Sequence, residues 1–431
     1  MRAQHAVAFE HLERVDRALF VTAGGRLAHG GTAVLNLGSD AGELCCRRVR
    51  VVVDLDCLTD NAAKVRSLCQ EHRLGIVAVT KGVTSDAEIV QAFMRGGIHS
   101  IGDSRVHDFL SLRQEEFGVL ELTLLRQPPR SQIHLVPHIT DRAFMSELSA
   151  MDALGEAALA KGTTCDVLAV VEMGDRRDGV PTSELTCFVL AASRIAGVKV
   201  VGLAANMGCI TGILPTAENQ ELFGASAARV RRETGLPLQI VSTGGTVALD
   251  LIEHGLLSPS VTELRAGEAL LLGVSTTDSR VIPWLRQDAF VVEAEVIEVR
   301  EKPSTPDGPV GLDAEGRHPH VVDRGVRRRA VVALGYADTD PDTLIPLDGG
   351  VTIAGSSSDH MVLDVTEAEY DFCEGDVVHF RMKYAALLHS MLSPYVAREY
   401  RRTQNAVVER LTREGRLTQA RQTSTDDGAE E

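Results

Sequence analysis

Lys81 closes the run Gly-Ile-Val-Ala-Val-Thr-Lys, so a long amine stands at the end of an apolar, β-branched stretch. An amine held at a strand end, partly out of water, loses proton affinity and becomes a nucleophile toward carbonyl groups. A lysine that lays its stem along a strand end and reaches water fits the same residues. Polar groups recur after other apolar runs. Asp103-Ser104-Arg105 follows one and the Gly174-Asp-Arg-Arg177-Asp-Gly179 loop another. Charge this dense in a glycine-bounded loop suits a small anionic group, although surface loops are charged too. Asn206, in Asn-Met-Gly-Cys, offers an amide to an aromatic oxygen or simply forms a turn. Ser242-Thr243-Gly244-Gly245-Thr246 says more. Hydroxyls and two glycines between a strand and a helix make a nest of backbone N–H groups suited to phosphate, without the spacing or the lysine of a nucleoside-triphosphate loop. Arg265-Ala-Gly267 follows the last run and adds a guanidinium and a close-approaching backbone.

Such groups act together only if the fold gathers strand ends at one place. Candidate strands are Val49–Leu55, Gly75–Lys81, Ser100–Asp103, Leu120–Leu125, Asp166–Met173, Lys199–Asn206, Leu238–Gly245 and the segment near Glu263–Leu264. Between them the spacing predicts helices at Thr59–His72, Asp86–Arg95, Asp141–Ala160, Ser183–Arg194, Ala217–Thr234 and Thr246–Glu253. Strand–helix alternation calls for a parallel sheet with helical crossovers, and eight repeats fit a (β/α)8 TIM-type barrel better than an open doubly wound sheet of the same rhythm. In a barrel, catalytic groups sit at the C-terminal strand ends, where Lys81, Asp103, Arg177, Asn206, Ser242 and Arg265 fall.

After about Thr276 the rhythm changes to an all-β pattern: Ala289–Val299, Arg329–Ala333, Val351–Ala354, Met361–Val365 and Asp376–Phe380. The expected organisation is an N-terminal extension of unknown role (1–47), an α/β barrel (48–275), a C-terminal β-domain (276–400) and a helical, then disordered acidic tail (401–431). Residues 1–20 suit an amphipathic helix, and Gly24-Gly25 to Gly30-Gly31 a loop.

The chain has 431 residues, 44% hydrophobic and 24% charged, with no apolar run of the length a membrane helix needs. A formal charge of −16 argues against nucleic acid as a partner, since Arg47-Arg48 and Arg327-Arg328-Arg329 are short basic clusters. The eight cysteines show no C-x-x-C spacing, so no metal is indicated and a reduced, cytoplasmic setting is expected. Residues 1–20 also lack the uninterrupted apolar core of a secretory signal.

Five motifs in order give a resemblance. Gly-Ile-Val-Ala-Val-Thr-Lys81, Glu172-Met-Gly-Asp-Arg-Arg177-Asp-Gly-Val, Gly202-Leu-Ala-Ala-Asn206-Met-Gly-Cys, Ser242-Thr-Gly-Gly and Leu264-Arg265-Ala-Gly267 resemble the alanine racemase family of pyridoxal 5′-phosphate (PLP) enzymes. Ala333-Leu-Gly-Tyr-Ala-Asp338, Ile345-Pro-Leu-Asp348, Gly355-Ser-Ser-Ser-Asp359-His360 and Tyr384-Ala-Ala-Leu-Leu are similar to its ornithine racemase branch. The resemblance covers residues 48–400 or so. It implies a racemase that inverts Cα of an ornithine-like amino acid by proton transfer at both faces. Lys81 would carry PLP and serve one face. Arg265 would face the pyridine nitrogen, Gly267, Ser242 and Gly244 would contact phosphate in the nest that includes Thr243, and Arg177 would touch the phenolic oxygen. Asn206 would pack by the ring, and Tyr395 would reach the phosphate from the β-domain.

Two departures accompany the resemblance. Ser85 stands where the family has a tyrosine four residues after the lysine. The family's second proton carrier is a β-domain tyrosine supplied by the other subunit of a homodimer, and the region near Lys302–Gly308 holds no tyrosine. His360 or Asp359 is then the expected replacement, with Tyr336 next. Three rivals have distinct signatures: a barrel-only PLP carrier, which would lack the β-domain; a decarboxylase of the same two-domain build, which would need a Cys and Asp pair where only Cys373 offers itself; and a barrel aldolase using Lys81 without PLP.

Overall fold

The computed structural model describes residues 49–402, apart from 115, 116, 118 and 320, together with residues 414–416. The expected N-terminal helix and glycine loop, and nearly all of the tail, lie outside the described residues.

Val51-Val52-Val53 make strand β1 (Arg50–Asp54), buried along nearly its whole length. Its alternation cannot say which sheet it joins, and the expectation that it opens the barrel is corrected here. β1 runs antiparallel to Phe290–Glu293 and parallel to Ala397–Arg401, so it belongs to the β-rich part of the molecule. Asp54 then caps the helix Leu55–Glu71, its carboxylate accepting the Cys57 N–H at 2.9 Å.

The barrel closes through β2 (Gly75–Val79), β3 (Ser100–Asp103), β4 (Glu121–Leu124), β5 (Arg142–Met145), β6 (Cys165–Val171), β7 (Val198–Asn206), β8 (Ile240–Gly244) and β9 (Glu263–Ala266), with β9 pairing back onto β2. β5 is a correction to the expected helix Asp141–Ala160. Arg-Ala-Phe-Met carries no β-branched residue, and its apolar spacing merges with that of the true helix, Leu148–Lys161. Eight strands were expected and eight close the barrel, but Arg142–Met145 takes the place given to Val49–Leu55. The longest barrel helix, Ala217–Thr234, starts at a capping box between Thr216 and Asn219 and stops at Gly235 with φ of 72°.

Inside the barrel Phe144, Leu168, Val170 and Ala204 form a packed apolar layer. Each large side chain in such a layer stabilises the fold by roughly 1.5–3 kcal/mol relative to exposure.

A short ribbon of β10 (Val274–Ser275) and β11 (Arg280–Val281) leads out of the barrel. Beyond it lie β12 (Phe290–Pro303), β13 (Val326–Val332), β14 (Leu344–Pro346), β15 (Thr352–Ser356), β16 (Met361–Asp364), β17 (Val377–Met382) and β18 (Ala397–Arg401). The order β14-β17-β12-β13-β16-β15 is antiparallel throughout, with β1 attached at β12 and β18 at β1. The expected all-β pattern is present, with one helix, Tyr384–Leu392, between β17 and β18. Among the described residues no helix is long and apolar enough to cross a membrane.

Candidate active site

Lys81 follows β2 at the C-terminal mouth of the barrel, on a tight turn running from Thr80 to Ser85. Thr84 and Ser85 both take left-handed backbone (φ 53° and 50°), a conformation that a β-branched threonine adopts only under constraint. The constraint is Asp103, fully buried at the end of β3. Its Oδ2 accepts from Ser85 Oγ at 2.9 Å and Thr80 Oγ1 at 3.2 Å, while Oδ1 accepts the N–H groups of Ser104 and Arg105. The lysine's turn is therefore clamped at both ends, and Ser85, standing in the place of the family's tyrosine, serves as part of that clamp. Burial raises the Asp103 carboxyl to about 7, with the neighbouring Asp108 carboxylate adding to the shift.

Burial also lowers the proton affinity of the Lys81 amine. Cys209, Arg177, Asp103 and Arg265 are close enough to act on its charge. Arg177 donates to Cys209 Sγ at 3.4 Å and to Asp178 at 2.7 Å. Asp175 ties this loop to the next by accepting the N–H groups of Cys209 and Thr211, both at 3.3 Å. Asn206 ends β7 opposite Gly244 in the sheet register.

Arg265 is 4% exposed and lies inside the barrel beneath Gly244. Its Nη2 donates to the Ala205 carbonyl at 2.7 Å, its Nη1 to Ser242 Oγ at 2.8 Å, and its Cζ lies 4.9 Å from the Phe144 ring centre. Burial pulls its pKa down to about 10, which leaves it charged at neutral pH. The Ser242 hydroxyl is committed to Arg265 and Glu263, so its side chain serves the arginine; the expectation of a phosphate contact through that hydroxyl has no free group behind it.

Thr243 Oγ1, in contrast, is buried without a hydrogen-bond partner among the described residues. A Cβ on Gly245 would meet nothing within 4 Å, so open space lies beside this backbone. Gly267 has no such room: a Cβ there would sit 2.9 Å from the Val79 carbonyl.

Tyr395 does not reach this mouth. It is 65% exposed, and the tyrosine that does arrive is Tyr384, from the helix Tyr384–Leu392. Its ring would lie 3.2 Å from a Cβ on Gly82, next to Lys81, and burial raises its hydroxyl to about 12, with Glu268 and Asp103 adding to the shift. Position alone hides this exchange, since both residues follow β17 closely, one at the start of the helix Tyr384–Leu392 and one just past its end.

Tyr336, Asp359 and His360 come together on two loops of the β-rich part. The Tyr336 N–H donates to the Ser357 carbonyl at 3.0 Å and the Ala337 N–H to Ser358 at 2.9 Å. Asp359 and His360 are exposed. The Tyr336 hydroxyl is held by Arg317 Nη1 at 2.8 Å and by Asp342 at 3.1 Å. Cys373 is exposed in a turn, its N–H bonded to Asp376 at 2.7 Å.

A desolvated lysine at the mouth of a closed eight-stranded barrel, with a buried arginine below a glycine pair, defines a barrel enzyme built for chemistry between an amine and a carbonyl. Residues 53–274 match the model of the alanine racemase N-terminal domain. The chain is 38% identical over 356 residues to a lysine racemase of Thermotoga maritima, covering 81% of this chain and 98% of that protein. It is 32% identical over 351 residues to an ornithine racemase of Acetoanaerobium sticklandii, covering 81% and 99%. The chain belongs to the alanine racemase family. Among solved structures, an alanine racemase from Streptomyces coelicolor superposes with a TM-score of 0.65 at 20% identity, over 82% of this chain and 98% of that one. A D-threonine aldolase from Filomicrobium marinum gives 0.60 at 18%, over 80% and 88%. At these identities the likeness concerns the fold, which by itself does not choose a reaction.

Proposed function

We propose that this amino-acid racemase interconverts the L and D forms of a basic amino acid, ornithine or lysine, with PLP carried on Lys81. The observation that carries the reading is 38% and 32% identity to a lysine racemase and an ornithine racemase, each over 81% of this chain, with a lysine amine desolvated at the barrel mouth.

The residues present fit PLP. Lys81 offers an amine of lowered proton affinity, Arg265 a buried cation that only donates, and Gly245 a backbone beside open space, flanked by Gly244 and Gly267 where no side chain fits. The unpartnered Thr243 hydroxyl is a group that a bound phosphate would satisfy. Arg177 would hold an anionic oxygen beside the lysine, and Asn206 would line the ring's edge. PLP bound there supplies the electron sink that makes the substrate Cα proton labile.

The protein's own residues do the rest. The Lys81 amine takes and returns the proton on one face, and the Asp103 clamp on Thr80 and Ser85 holds its turn in place. Tyr384 packs against Gly82, beside the lysine. For the other face we favour Tyr336 over His360 and Asp359, because Arg317 and Asp342 orient its hydroxyl; burial and Asp342 raise its pKa, and Arg317 opposes that shift by donating to the phenolic oxygen. None of the three shares a hydrogen bond or ion pair with the Lys81 mouth among the described residues, so the carrier is taken from a second copy, making a homodimer with shared sites. The described cysteines are all free, in keeping with a cytoplasmic enzyme.

The test is direct. Purified protein should be yellow, and borohydride should fix a phosphopyridoxyl group on Lys81. A modified peptide elsewhere, or none, refutes the assignment.

A further inference from the structure

The barrel interior holds a connected line of charge that the proton transfers do not use. Arg265 Nη1 donates to Ser242 Oγ at 2.8 Å, and Ser242 donates to Glu263 Oε1 at 2.5 Å. The direction is forced, because a guanidinium only donates, a carboxylate only accepts, and a serine has one proton. Glu263 Oε2 then accepts from Arg142 Nη1 at 2.9 Å, and Arg142 Nε continues to Thr123 Oγ1 at 3.0 Å. Arg265, Ser242, Glu263 and Arg142 are all buried. Two guanidinium groups thus share one buried carboxylate; Glu121, 3.2 Å from Arg142, is at the exposed rim.

We propose that Glu263 and Arg142 are positioning residues that act on Arg265 through Ser242 and set, with opposite signs, the field Arg265 presents to the cofactor's ring nitrogen. The inference rests on the reading above that Arg265 faces that nitrogen. Charges this close act strongly in a low-dielectric interior. Removing the carboxylate takes away the buried negative charge nearest Arg265 and leaves Arg142 with only Glu121 at the rim, so a nitrogen facing Arg265 binds a proton less readily. Removing Arg142 leaves Glu263 to Arg265 alone, and the nitrogen binds a proton more readily. A purely structural brace would not behave so: both changes would loosen the barrel and disturb the site without a sign. Burial lowers the pKa of Arg265 and the Glu263 charge opposes that shift, in keeping with a carboxylate that acts on this guanidinium.

The experiment is nitrogen-15 NMR of the ring nitrogen in holoenzyme loaded with labelled PLP, titrated with pH in Glu263→Gln, Arg142→Gln and Ser242→Ala. Ser242→Ala keeps every charge, cuts the relay and should move the signal in the direction of Glu263→Gln, so the sign test stands even if Glu263→Gln does not fold. Arg142→Gln should move it the other way, each by roughly one pH unit, or tenfold in proton affinity. The fraction of turnovers lost to transamination should rise in Arg142→Gln and fall in Ser242→Ala. Unmoved signals, or the same direction in both, in protein that carries the cofactor overturn the relay alone. Protein that takes up no PLP overturns the functional reading with it.

Discussion

The Arg265 guanidinium passes directly below Gly244: a Cβ at residue 244 would stand 2.4 Å from Nη2. No side chain fits there while the arginine keeps its bonds to Ala205 and Ser242. Gly244→Ala should therefore displace the guanidinium at a cost of about 1–3 kcal/mol, the usual range for overpacking. Urea denaturation measures the loss, and the variant should also take up PLP more weakly. Unchanged stability would mean that Arg265 moves freely.

Asp103 gives a pH-dependent prediction. Its carboxyl titrates near 3.8 in the unfolded chain and at about 7 in the fold, raised by burial and by Asp108, so the folded state holds the proton more tightly. The stability this contributes is full below the unfolded value and is lost as pH rises through the folded one. Asp103→Asn, which removes that titration, should gain in melting temperature relative to wild type between pH 5 and about 8. A difference that stays constant across that range contradicts the account.

How much of this was legible in the sequence depends on what each residue reports. Lys81, Arg265 and the glycine pair stand beside strand ends, and local pattern places strand ends well. Arg142 was hidden because β5 is four residues without a β-branched side chain, so its run blended into the following helix. With the strand went the relay through Glu263. The pattern of β1 announces a strand but not its sheet, since burial on both faces looks the same in a barrel and beneath a β-rich layer. Nothing in the local sequence gives Tyr384 a role, and Ser85 reads only as the place of a missing tyrosine. Its partner Asp103 is contacted across 18 residues, a pairing no local spacing announces.

Tyr336 and His360, two of the three candidates for the second face, separate under isotope exchange. In deuterated water Tyr336→Phe should lose Cα exchange from one enantiomer by about 10²–10⁴-fold and retain it from the other, which Lys81 still serves. His360→Ala should lose little from either. A face-selective loss in His360→Ala, with Tyr336→Phe unaffected, would return the role to the imidazole.

Arg317 and Asp342 pull the Tyr336 hydroxyl in opposite directions, one donating to it and the other accepting from it. Arg317→Met should push the alkaline dependence of kcat to higher pH and Asp342→Asn to lower pH. Profiles that superpose on wild type would detach both residues from the proton carrier.

Incubating L-ornithine, and separately L-lysine, with the enzyme in deuterated water, followed by chiral chromatography and mass spectrometry, tests the central claim most directly. The account predicts a D enantiomer carrying one deuterium at Cα, accumulating toward equal amounts of the two forms, and none with Lys81→Ala. Loss of the carboxylate, cleavage of the substrate, or L-ornithine and L-lysine recovered unchanged from PLP-loaded enzyme would contradict it.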